Sequence, residues 1–403
     1  MNKTFKLIVS VLLAMVLCLC SYSVAFATGD DGTTAKALRF GKDGKLKIMH
    51  VTDTHLHYDN VDESVWLIEN AVDKEKPDVI MLTGDIAMDT DPEAYLYDLN
   101  KLMTVFEERG IPVAFTQGNH DYEEGGFNHE EVMALYNRYD CSISVDDGEL
   151  LPRCGTYNIP VLASDSDELK FNLWVFDSGS TDSEGHYENV TAEQVEWYKA
   201  KSEALEKENG KKINSLVFQH IIVPEIYDCL EKTNLPGAYQ FEHIYNDGEY
   251  YRFSPDFENH GTLNEYPCPG YYNYGQFDAM VERGDVLGMF TGHDHTNDFT
   301  VRYKNINITN SLSTRFNGDA FSTQYGYRMI IVDENDTSTY ETRSTHWYDY
   351  VTSDMVKELR KSDDSFGYKL TMKIQFMGFF RRTFEKFAIA ITEFFTGRTV
   401  SYD

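Results

Sequence analysis

Five short stretches of this chain place histidine, aspartate and asparagine where an apolar run breaks off. They read Asp53-Thr54-His55, Gly84-Asp85, Gly118-Asn119-His120-Asp121, Gln219-His220 and Gly292-His293-Asp294-His295. Carboxylate, imidazole and amide oxygen are donors for hard to borderline metal ions, and no thiolate stands among them. Asp-x-His recurs by chance, and a lone histidine at a strand end is usually a hydrogen-bonded surface residue. The joint recurrence, each time after an apolar strand, is what points to a metal site. The donors outnumber what one ion can hold, whereas two ions about 3.5–4 Å apart that share a carboxylate would use them all. Residues i and i+2 leaving a strand project to one side, which groups Asp53 with His55 and His293 with His295 and turns Asp294 away. His57 continues the rhythm of "DTHLH" and reads as a rim residue.

The elements that must hold these donors are legible in the apolar runs before them. "LKIMHV", "DVIML", "PVAF", "SLVF" and "VLGMF" read as buried strands, and "KFNLWVF" as another. Helical periodicity lies between them, around Asp62 to Lys74, Pro92 to Arg109 and Ala192 to Glu208. Strands alternating with helices give an α/β layered fold, in which ligands bind at the carboxyl ends of the strands. The segment from Ala37 reads as a hairpin turning at Lys42-Asp43-Gly44. His243 to Gln276, rich in Tyr, Asn, Gly and Pro, reads as a long ordered loop over the site, and several short strands follow Phe299 through about Trp347.

The chain has 403 residues, enough for a well-buried core, and a formal charge of −30. That charge excludes nucleic acid as a partner, because a phosphate backbone needs a basic face. An anionic substrate would have to be drawn by something local and strongly positive. Residues 1–27 read as a signal peptide: Lys3 and Lys6, an apolar stretch from Leu7 to Cys20, then Ala25-Phe26-Ala27. The mature chain is therefore expected to begin near Thr28 and to be secreted. Its cysteines are Cys141, Cys154, Cys229 and Cys268, and Cys141 with Cys154 is the first expected disulfide.

With Asp53-x-His55, Gly84-Asp85, Gly118-Asn119-His120-Asp121, His220 and Gly292-His293-x-His295 in this order, the chain resembles the calcineurin-like metallophosphoesterase superfamily. "GHDHTNDF" and "YPCPGYYNYGQF" are most similar to its purple-acid-phosphatase-like branch. The resemblance spans roughly Leu46 to Asp333. It implies a four-layer α/β/β/α sandwich of two mixed β-sheets flanked by helices, with a domain over 28–350. It also implies one metal held by Asp53, His55, Asp85 and His295 and a second held by Asp85, Asn119, His220 and His293. His120 would face the substrate phosphate and assist the leaving oxygen, with Asp121 orienting it. Zinc, manganese or iron would serve as the pair; the branch's tyrosine ligand, three residues after the bridging aspartate, is here Met88, which disfavours ferric iron. The implied reaction is hydrolysis of a phosphate ester, phosphomonoesters first, by attack of a metal-bound hydroxide. The alternatives are a phosphodiesterase of the cyclic-nucleotide type and a non-catalytic metal-binding surface protein. Glu265 and Tyr272 in the overhanging loop, and Arg315 after "ITNSLST", are candidates to touch substrate.

The tail, 351–403, differs from the body. Phe376, Phe380, Phe384, Phe387, Ile391 and Phe395 recur at helical spacing, accompanied by Lys373, Arg381, Arg382 and Lys386. Two placements fit such a helix over 368–396: packed on the body, or lying in a membrane interface against anionic lipid.

Overall fold

The computed structural model describes residues 32–121, 126–145, 151–233, 241–242, 250–316 and 324–396. The expected signal peptide lies outside them. Two mixed sheets carry the fold. One has five strands in the order Asp336–His346, Gly326–Asp333, Lys45–Val51, Val79–Thr83, Val113–Thr116; its first two junctions are antiparallel and its last two parallel. The other has eight, in the order Leu38–Arg39, Tyr157–Leu162, Leu169–Val175, Ser215–Phe218, Val286–Thr291, Ile306–Asn310, Asp298–Tyr303, Asn259–Thr262.

Strand alternation sorts the core into three slabs. Leu46, Ile48, Val79 and Met81 from the smaller sheet meet Phe171, Leu173, Leu216 and Phe290 from the larger one in the gap between them. Residues of opposite parity, Met49, Val51, Ile80 and Leu82, pack under the helices Val61–Glu75 and Pro92–Glu108. Trp174, Val217 and Met289 do the same under Ala192–Asn209 and Gln276–Arg283. Burial on both faces explains why the central strands read as continuous apolar runs. The helices start where the sequence supplies caps: Asp91 accepts from the N–H groups of Glu93 and Ala94 with Pro92 at the first position, and Thr191 with Gln194 closes a capping box. The four-layer sandwich expected from the resemblance is the observed architecture.

Three local expectations fail. The turn at Lys42-Asp43-Gly44 exists, but its two arms enter different sheets: Leu38–Arg39 pairs in parallel with Tyr157–Leu162, and Lys45–Val51 enters the five-stranded sheet. The stretch from His243 to Gln276 is not all loop, since it contributes Tyr250–Phe253 to a small three-stranded sheet and Asn259–Thr262 to the edge of the large one. No disulfide joins Cys141 to Cys154; both are buried in the apolar slab under the helices, where a thiol packs as a small hydrophobe. The packed body also continues past residue 350, because Val351, Val356, Phe366, Leu370 and Ile374 join that same slab.

Phe171, fully buried in the gap between the sheets, tests this account. Phe171→Ala should cost about 3–5 kcal/mol in urea unfolding; a loss below about 1 kcal/mol would mean that the gap collapses around the cavity.

Candidate metal centre

Register sets the site. Val51 lies opposite Leu82, Thr83 opposite Thr116, and Phe218 opposite Phe290, so five strand ends from the two sheets finish level with one another. Beyond those ends the chain must turn at once, and it does so in the left-handed region: Asp53 (φ 51°), His55 (φ 42°), Asp85 (φ 56°) and His293 (φ 71°) all adopt positive φ. Such conformations cost of order 1–3 kcal/mol each for a non-glycine residue and persist where the surroundings over-determine them. Asp53 and His55 do converge, as their spacing implies, but through this turned backbone rather than by pleat alternation.

The motif glycines are there for space. A β-carbon on Gly84 would collide with the backbone of Gly118, one on Gly118 with the Asp85 carboxylate, and one on Gly292 with Thr52 and Asp53. Only hydrogen lets the three turns approach.

Two groups of donor atoms result, each within 4.8 Å: Asp53, His55, Asp85 and His295, and Asp85, His220 and His293. Asp85 belongs to both. In the first group, His55 Nε2 is 2.9 Å from His295 Nε2 and 3.9 Å from one oxygen each of Asp53 and Asp85. In the second, His220 Nε2 is 3.2 Å from Asp85 Oδ2 and 3.1 Å from the amide oxygen of Asn119. His220 Nδ1 lies 2.8 Å from the Thr83 carbonyl, a hydrogen bond that puts the proton on Nδ1 and aims Nε2 at the site. All seven expected donors are thus brought together.

The electrostatics of the donors suit cation binding. Burial alone would raise Asp53 and Asp85, yet His220 beside them outweighs it and holds both below the usual carboxylate range. Burial would lower His220, but the same two carboxylates carry it up to about 10. Burial pushes His55 down to about 4 and His293 to about 3, leaving both rings neutral, the form that ligates metal. Asp85 Oδ2 is buried and faces His220 Nε2 at 3.2 Å, and His293 Nε2, equally buried, makes no hydrogen bond among the described residues. Buried polar atoms left in that state are costly, and a metal ion is the partner whose chemistry matches carboxylate and imidazole together.

Around the donors, several expectations change. Both oxygens of Asp121 are taken by main-chain N–H groups, from Asp85 (2.8 Å), Ile86 (3.0 Å) and Gly118 (2.7 Å). Its positioning effect therefore falls on the Asp85 turn rather than on the His120 ring. His120 donates its own N–H to Asp85 Oδ1 at 2.8 Å, and its ring lies edge-on to His55 at 5.8 Å. Glu265 accepts from the Thr296 N–H and binds Asn297 through its backbone, bracing the turn after His295. Arg315 stacks on Tyr325 and donates to its hydroxyl. Tyr272 is half exposed and lines a cavity of about 330 Å³ with Tyr187 and Asn189. His57 pairs with Asp59 and Asp89, in keeping with a rim position. Asp294 faces Cys268, accepting its N–H at 3.0 Å, and forms a further donor group with Cys268 and His293. Met88 sits with its sulfur against His55 Nδ1.

Sequence reasoning misses Tyr187, whose ring meets His293 edge-on at 4.4 Å, and Thr52, whose hydroxyl donates to Asp53 Oδ2 at 2.7 Å. Thr52 could have been found as the polar residue preceding a donor; Tyr187 carries no local signal.

A sequence profile described as calcineurin-like phosphoesterase matches residues 46–297. "Probable inactive purple acid phosphatase 14" of Arabidopsis thaliana is 28% identical over 338 residues, covering 74% of this chain and 77% of that protein. "Probable cyclic nucleotide phosphodiesterase" of Psychrobacter arcticus is 31% identical over 112 residues, covering 24% of this chain and 37% of that protein. Among solved structures, a dimetal phosphatase from Danio rerio aligns with a TM-score of 0.45 and 12% identity, covering 74% of this chain and 98% of that one.

Because Asp85 is common to both donor groups, Asp85→Asn should abolish tight binding of both ions, whereas His293→Ala should remove one. Metal analysis of purified protein by mass spectrometry reads this directly; equal loss in the two variants would mean that the groups do not act as separate sites.

Proposed function

Since the chain belongs to the calcineurin-like phosphoesterase family, we propose that it is a secreted enzyme that hydrolyses phosphate esters, phosphomonoesters foremost, at a two-metal centre. The observation that supports this reading most is the convergence of two donor groups on one shared carboxylate, Asp85. Asp53, His55, Asp85 and His295 would hold one ion, and Asp85, Asn119, His220 and His293 the other. When bound, such a pair supplies Lewis-acid polarisation of the phosphoryl oxygens and a nucleophilic water at neutral pH. Zinc, manganese and ferrous iron suit the donors, and the thioether of Met88 is a poor ligand for ferric iron.

The remaining work falls to the protein. His120 is fixed by its N–H to the bridging carboxylate and is only partly buried, so its imidazole can reach a phosphate seated over the centre. Protonated, it stabilises the departing oxygen and hands it a proton. Asp121 keeps Gly118 and Asp85 in register, which fixes where His120 begins. Tyr187 packs edge-on against His293 and holds that ring from one side.

The relative named as a cyclic nucleotide phosphodiesterase favours a second reading, with diesters as substrate. The word "inactive" in the name of the Arabidopsis relative raises a third, metal binding without turnover. Intact donors and His120 support catalysis here. Chelated protein, reloaded with Zn, Mn or Fe(II), should hydrolyse p-nitrophenyl phosphate faster than its bis-ester. The reverse order would establish the diester reading, and no turnover on either ester with any metal would leave only the non-catalytic one. His120→Ala should lower kcat by about 10²–10⁴-fold with metal content unchanged; loss of metal instead would make His120 a ligand.

A further inference from the structure

Fifteen large apolar side chains are exposed among the described residues, and nine of them fall between Tyr368 and Ile391. The five exposed phenylalanines are all in this segment. Its beginning belongs to the body: Phe366 meets Trp66 and Phe316 edge-on, and Leu370 and Ile374 are buried. A π-helical stretch, Leu370–Phe376, then leads into the α-helix Met377–Thr396. The extra residue in a π-turn rotates the succeeding helix about its axis. The helix touches the body through Gly378, where a β-carbon would strike Tyr348, and through Arg382, which lies over the Tyr348 ring and pairs with Asp349. At about 100° per residue, Phe376, Phe380, Phe384, Phe387 and Ile391 fall within an arc of about 80° on the side opposite Gly378. Phe384 and Phe387 are 75% and 64% exposed. A helix docked on the body would bury this stripe; here the stripe faces away.

We propose that Met377–Thr396 lies flat in the interface of an anionic membrane, with the phenylalanine stripe among the acyl chains. Charge selects this occupant. Residues 368–396 carry five basic and two acidic side chains within a chain of net −30. Lys369 and Arg382 answer Glu63 and Asp349 of the body and Arg381 lies against Gln324, which leaves Lys386 on the margin of the stripe, where headgroups would meet it. A spanning arrangement does not fit, because no helix among the described residues is long and apolar enough to cross a membrane. A second copy fits poorly too. Phe376 to Ile391 covers fifteen residues in four steps, about 3.75 per step against the 3.5 of a coiled-coil seam, and two chains of −30 repel.

The full chain should co-sediment with phosphatidylcholine vesicles that contain phosphatidylglycerol and far less with phosphatidylcholine alone. Phe384→Glu/Phe387→Glu should weaken that partitioning by about tenfold or more while melting temperature and far-UV circular dichroism stay unchanged. Equal sedimentation of the variant, or no preference for the anionic vesicles, would overturn the proposal. So would a dimer in vesicle-free sedimentation velocity that the variant dissolves, since the stripe would then belong to a second copy.

Discussion

Two carboxylates, Asp53 and Asp85, are buried side by side where the two sheets meet, and neither has a full set of hydrogen bonds to balance it. Taking an unpaired charge out of water costs several kcal/mol, so a fold that buries two must compensate locally. Asp53 receives the His293 N–H and the Thr52 hydroxyl. Asp85 Oδ1 receives the His120 N–H, and Asp85 Oδ2 receives no main-chain N–H among the described residues and faces His220 Nε2 at 3.2 Å. The neighbouring imidazoles supply the rest, and the two carboxylates push His220 up to about 10 for that reason. The arrangement is balanced for cations: each donor lost to a proton is one that an ion would reclaim.

Satisfying that constraint dictates the backbone. Four donor residues in left-handed conformation and three glycines with no room for a β-carbon are tolerable only on a rigid support. The support is the pair of sheets, each with strands buried on both faces, whose ends register to within a residue. The strain sits in turns and the rigidity in the slabs of Leu, Ile, Val and Phe beneath them. Asp121 is where the two meet. Fully buried, with its pKa pushed by burial and by Asp85 to about 7, it commits both oxygens to three main-chain N–H groups that close the Asp85 and Gly118 turns on each other.

How much of this can be read from residues alone depends on whether each signal is local. Asp53, His55, Asp85, Asn119, His220, His293 and His295 were legible because each ends an apolar run, and a run's length and its polar terminus are local facts. The layering was legible for the same reason. Adjacency to His120 is a local fact about Asp121, whereas its acceptor role toward the Asp85, Ile86 and Gly118 N–H groups depends on how closely Gly84 approaches Gly118 across two strands. Glu265 reads as a substrate candidate from its place in an overhanging loop, while its bond to the Thr296 N–H is a fact of loop closure over 31 residues. Tyr187 carries no mark in the sequence, since a lone aromatic in a polar loop has nothing to show which histidine it meets. The phenylalanine stripe of the tail was legible as a periodicity, but its direction was not: that depends on Gly378 against Tyr348 and on the π-helical turn before it.

The same electrostatic logic connects the buried centre to the exposed tail. A body of net −30 opposes any approaching anion, whether a phosphate ester or a lipid headgroup. Ionic screening removes charge more than about 8–10 Å away, so what an anion meets is the sign of its immediate surroundings. Two divalent ions held by two carboxylates would leave about two positive charges in the pocket, enough to reverse the sign there. On the membrane proposal the tail would reach a similar reversal without metal, since 29 residues gather five basic against two acidic side chains, although Lys369 and Arg382 are answered by Glu63 and Asp349 of the body. Spread evenly over the surface, the same basic residues would each lie among acidic neighbours, and the tail would carry no local excess of positive charge.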